Sequence, residues 1–196
     1  MDPAAKIRIG LADFCLVAIL AFAAYIDWRR LIIPDILSLG GMAGGLVLSV
    51  ALPAAPIFGN LPPRLDGFTA GLVGMLTGLA AGVAMRLLGS ALLWKQIGIL
   101  RQEGAAIDSA LGWGDVKLLG CVGAFLGWQA ILPTLLVASI LASLAGSALR
   151  LAGGDPGETS GMAAFAARWR SGRVVFPFGP FLAAGALAAL FLVNDM

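Results

Sequence analysis

The chain contains no histidine in 196 residues. That absence excludes Ser-His and Cys-His nucleophile systems and removes the commonest side-chain metal ligand. Cysteine is nearly absent too. Cys15 and Cys121 stand far apart inside apolar runs, with no CxxC and no zinc-ligand spacing, and read as small buried hydrophobes. Charge is scarce, with 12% Asp, Glu, Lys and Arg and a net charge of +2. No dense basic run is present, so nucleic acid is not an expected partner. What fills the chain instead is apolar: 60% of residues are hydrophobic and the mean hydropathy is +0.95. A soluble domain of this size needs more charge to cover its surface, so the bilayer is the expected solvent and lipid an expected partner.

Apolar runs long enough to cross a membrane recur at Ile9–Ile26, Ile36–Ala54, Phe68–Leu93, Val116–Leu132, Thr134–Leu151 and Val174–Val193. The fourth and fifth follow so closely that a hairpin is expected at Pro133. The expected fold is therefore all-α: a polytopic integral membrane protein of about six transmembrane helices, one domain over residues 1–196, with no internal repeat. A cleaved signal peptide competes for the first run, which follows Lys6 and Arg8 and passes Phe22-Ala23-Ala24. However, the run is long, carries Asp13 and ends in Trp28-Arg29-Arg30, an interface pattern.

Orientation follows from Lys and Arg. With the N-terminus outside the cytoplasm, only Lys6, Arg8 and Arg64 lie outside, and the other ten basic residues fall on or near the cytoplasmic side. Both termini are then extracytoplasmic. Glycine and serine recur at helical contact spacing, as at Gly74/Gly78/Gly82, Gly123/Gly127 and Ser139/Ser143/Ser147, which implies a compact bundle.

Any chemistry must come from carboxylates, hydroxyls or a few basic groups. Asp27 ends the first span and reads equally as an interface aspartate paired with Arg29 or Arg30. Asp35 follows Pro34 ahead of an apolar run, the natural place for a helix N-cap. Asp115 opens the fourth span after Gly112-Trp113-Gly114, where capping is again a competing role. Ionisable residues at membrane depth are costly and are functional candidates for that reason. Two crossings, the second and third runs, lie between Asp27 and Asp115 and bring them to one membrane face. Two neighbouring carboxyl groups cannot both ionise cheaply, so one supplies a base and the other an acid. From their helix ends, Asp27 at a C-terminus and Asp115 at an N-terminus, Asp115 is expected to carry the charge.

At these residues the chain resembles the type IV prepilin peptidases, aspartic membrane peptidases with a Gly-x-Gly-Asp motif. The resemblance rests on Asp27-Trp28-Arg29-Arg30-Leu31-Ile32-Ile33-Pro34-Asp35, on Gly112-Trp113-Gly114-Asp115-Val116-Lys117-Leu118-Leu119, and on Pro177-Phe178-Gly179-Pro180-Phe181, with Gly123–Gln129 extending the second block. It implies cleavage of the short leader of type IV prepilins or pseudopilins at the cytoplasmic face of a bacterial inner membrane. It further implies Asp27 and Asp115 as the catalytic pair, supported by Gly112, Gly114, Lys117, Pro177, Phe178, Gly179 and Pro180. Many such peptidases also carry paired CxxC motifs and methylate the pilin. Nothing here corresponds, so peptidase activity alone is expected, with no metal, no S-adenosylmethionine and no other cofactor. The segment Lys95–Gly112 is a candidate substrate-contacting loop. Two other classes compete: a small proton-linked transporter using Asp13, Asp27 and Asp115, and a non-catalytic membrane subunit of a pilus or secretion assembly. The natural substrate and the oligomeric state are not legible.

Overall fold

A computed structural model describes residues 3–30, 33–51, 63–92, 94, 111–151 and 178–194. Within them the chain forms six α-helices and no strand: α1 (Pro3–Arg30), α2 (Asp35–Ala51), α3 (Pro63–Leu92), α4 (Trp113–Leu126), α5 (Ile131–Leu151) and α6 (Gly179–Asn194). The all-α expectation holds. Two stretches, Gly67–Leu92 and Trp128–Ala148, are long and apolar enough to cross a membrane, while Asp35–Ala51 and Gly179–Leu192 are apolar but shorter.

The hub is α4, whose residues Val116 and Leu118 through Ala124 are all buried. A helix apolar all round belongs inside a bundle, not on its surface. Small residues let its neighbours close on it. A side chain at Gly82 of α3 would meet Val116, one at Gly78 would meet the Leu119 carbonyl, and one at Gly74 would meet the Gly123 carbonyl. The falling register shows α3 and α4 antiparallel, touching backbone to backbone. On the other flank, Gly41 and Gly45 of α2 face Cys121 and then Ala124 and Phe125, so α2 runs parallel to α4. Gly185 of α6 packs on the Thr134 carbonyl of α5. Close backbone approach at small residues is the packing mode open to helices in lipid, where no hydrophobic force drives them together.

The hairpin between the fourth and fifth runs does not turn at Pro133. Instead α4 stops at Gly127, whose φ of 80° is open to glycine and disfavoured for other residues, and whose N–H donates to the Gly123 carbonyl at 2.9 Å. A 3-10 turn over Trp128–Ala130 leads into α5. Pro133 is the third residue of that helix, where its missing N–H costs no hydrogen bond because the first turn has no partner for it.

Candidate active site

The phase of α1 aims Asp27 inward. Leu16, Leu20 and Ala23 form its buried stripe at helical spacing, and Asp27 continues that stripe at 6% exposure while Tyr25 and Trp28 face out. The final helix meets it there. The backbone N–H of Gly179, the first residue of α6, donates to Asp27 Oδ2 at 3.0 Å, across 152 residues of sequence. A Cβ at Gly179 would stand 2.6 Å from the same oxygen, so the approach requires glycine. Asp27 therefore sits at the positive end of α6 as well as at the C-terminal end of its own helix.

Asp115 is the third residue of α4, and Gly112 is the N-cap with no side chain to cap with. The Asp115 carboxyl reaches back to the backbone of Gly112, as an acid at this position of a capping box does. Its other oxygen, Oδ1, is buried and has no hydrogen-bond partner among the described residues. Asp27, Ile33, Asp35, Gly112, Trp113, Gly114, Asp115 and Lys117 line one cavity of about 670 Å³. The two acids share a chamber, and Asp27 bears on the titration of Asp115. Burial first, and then the negative field of Asp27, push Asp115 up to about 7, against a weaker pull downward from the Gly112 hydrogen bond. Burial also raises Asp27, opposed by the N–H of Gly179. Both acids lie at the ends of the apolar runs Ile9–Ile26 and Val116–Leu132, just outside them.

The walls are held by contacts between elements. Ile33 is buried at the turn before α2, and a Cβ at Gly114 would fall 2.9 Å from its Cβ, so Gly114 lets the two segments meet. Arg86 of α3 donates to the Leu111 carbonyl and lies over the Trp113 ring, 4.6 Å from its centroid. It thereby fixes the turn that carries the motif. Asp35 does not act as the N-cap: the Pro34 carbonyl accepts the N–H of Leu37 at 3.0 Å and of Ser38 at 3.4 Å. Asp35 is already inside α2, and its carboxylate reaches across the cavity to Lys117.

Of the expected site residues, Asp27, Asp115, Gly112, Gly114 and Lys117 meet at this cavity, and Gly179 touches it through Asp27. Phe178 packs on the core beside it. Pro180 instead lines a separate apolar groove with Trp28 and Phe181. Pro177, residues 95–110 of the polar loop and residues 152–177 lie outside the described residues. Ile33, Trp113 and Arg86 were not singled out from the sequence. Arg86 carried a signal, since an arginine inside an apolar run implies a partner. Among the described residues, no three His, Cys, Asp or Glu side chains are grouped to hold a metal ion.

The type IV leader peptidase family model matches residues 14–147, a stretch holding both acids, and the chain belongs to that family. It is similar to the prepilin leader peptidase/N-methyltransferase of Burkholderia pseudomallei (strain K96243), 31% identical over 186 residues that cover 93% of this chain and 46% of that protein. The protein of that name from Myxococcus xanthus (strain DK1622) is 32% identical over 142 residues, 72% of this chain and 35% of the relative. That from Klebsiella pneumoniae is 35% identical over 129 residues, 66% of this chain and 46% of the relative. The chain thus spans about half or less of the length of these curated relatives. No solved structure matches it.

Proposed function

We propose that the chain is a membrane aspartic endopeptidase that removes the leader peptide of prepilins or pseudopilins, with Asp27 and Asp115 as its catalytic pair. The observation that carries the reading is the shared cavity in which the charge of Asp27 raises the titration of Asp115. The relatives' names supply the substrate class, and family membership supplies the reaction.

The protonation we assign reverses the one expected from the acids' own helices. Asp27 holds the charge at rest because the N–H of Gly179 and the start of α6 stabilise it. Asp115 holds the proton, since its Oδ1 is buried without a partner and Asp27 opposes its ionisation. In the reaction Asp27 takes a proton from water while the oxygen attacks the scissile carbonyl carbon. Asp115 gives its proton to the carbonyl oxygen, forming a tetrahedral diol. As the C–N bond breaks, Asp27 passes its proton to the leaving nitrogen and Asp115 recovers its own from the diol. The products are a carboxylic acid and an amine, and the dyad returns to its starting state. The dyad titrates as a unit, so the assignment describes its dominant microstate.

Six crossings, both termini extracytoplasmic and an active site at the cytoplasmic face of a bacterial inner membrane complete the reading. The basic residues support it, and so does the grouping of the ends of α1 and α5 with the starts of α2, α4 and α6 around the two cavities. Of the two activities in the relatives' name, we assign the peptidase to the described residues, because they hold both acids in one cavity. Asp27→Asn and Asp115→Asn are each expected to lower cleavage of a prepilin in detergent by about 10³-fold or more while leaving the thermal melt cooperative. Normal cleavage by either variant refutes the pair.

A further inference from the structure

The rim of the cavity carries an ion pair. Lys117 Nζ lies 2.5 Å from Asp35 Oδ1, joining α4 to the start of α2 across 82 residues of sequence. The side chains are 27% and 64% exposed, so the pair contributes little to stability. Its place is what matters, because both partners line the same chamber as Asp27 and Asp115. A lone ammonium there would favour the doubly ionised dyad, and a lone third carboxylate would favour the doubly protonated one. Either loses the single shared proton that acid–base chemistry needs.

We propose that Asp35 and Lys117 are a positioning pair: Asp35 holds the Lys117 ammonium at the rim, and each cancels the other's field at the dyad. The proposal rests on the peptidase reading. Among the described residues, other charges near the chamber are engaged elsewhere or lie on other elements. Arg86 of α3 is committed to the Leu111 carbonyl and the Trp113 ring, and Arg29 of α1 lies over the Tyr25 ring at 5.1 Å. Arg30 ends α1 and Arg150 stands near the end of α5, while α6 has no titratable side chain. Among the described residues, Lys117 and Asp35 are thus the charged neighbours that share the chamber with the acids.

The two partners have opposite charge, so their removal must act in opposite directions, which a merely structural link would not do. The test is the pH profile of kcat/KM for a prepilin substrate, from about pH 4 to 9, with the full chain in detergent. In Asp35→Asn the freed ammonium lowers both dyad titrations, and both limbs move to lower pH by about half a unit or more. In Lys117→Met the unpaired carboxylate raises them, and both limbs move to higher pH. The double variant D35N/K117M returns the limbs to their wild-type positions, and Lys117→Arg never displaces them. Where a single variant fails to fold, the exchange D35K/K117D carries the same expectation of wild-type limbs. Single variants that move the limbs the same way or not at all overturn the pairing, as does a double variant or exchange that stays displaced. Inactive wild type, or full activity in D27N, overturns the peptidase reading and the pairing with it.

Discussion

Asp27 accepts a hydrogen bond from a residue 152 positions later, and that single contact changes what the acid does. Read from the sequence, Asp27 sits at the wrong end of its helix to be charged. The N-terminus of α6 supplies the missing stabilisation, and no spacing rule links residues 27 and 179. That these two acids stand out was legible because they flank apolar runs in a chain with few other polar groups; the hydrogen bond from Gly179 that bears on their protonation was not. The contact also makes Gly179 sensitive. Gly179→Ala would drive a methyl group into Asp27 Oδ2 and shift the carboxylate by part of an ångström. A fall in kcat of about 10²-fold is expected, with little change in KM, since the substrate's own contacts remain. Steady-state kinetics in detergent check this, and an unchanged kcat sinks the account of Asp27.

At the scale of helices, the seam between α3 and α4 carries the fold. Gly74 and Gly123 face each other so closely that a Cβ on either would overlap the other's carbonyl. Backbone cannot yield as the end of a flexible side chain can. Gly123→Ala is expected to destabilise by about 3 kcal/mol or more, read as a lowered melting temperature in detergent, with residual activity falling in parallel. Glycine at every fourth position made such contacts legible, but not which helices share them. All six described helices overlap the apolar runs, and of their ends only that of α5, at Leu151, coincides with the end of a run. The turn fell at Gly127 because a positive φ there ends α4, while Pro133 fits a first turn without disturbing it. Asp35 was misread for a related reason: whether an acid after proline caps or starts a helix depends on what faces it, here Lys117.

For the whole molecule, the site lies where helices α1, α2, α4 and α6 converge, so on the proposed six-crossing reading its two acids require correct threading through the membrane. With the N-terminus outside, alkaline phosphatase fused after Leu92 is expected to be inactive, and fused after Asn194 active. The reverse pattern refutes the orientation and moves the chamber to the other face. The basic residues are what point to this side, while the cavity walls were not legible, because Ile33, Arg86 and Trp113 join the site through contacts between distant segments. Synthesis from the N-terminus adds a timing element. Asp27 emerges in the first helix and Asp115 in the fourth, yet the N–H that holds the charge on Asp27 belongs to the sixth. A nascent chain that has inserted five helices already owns both acids and lacks the group that sets them apart. On the proposed reading, proteolytic competence thus arrives only when α6 inserts, and a chain still lacking it is silent.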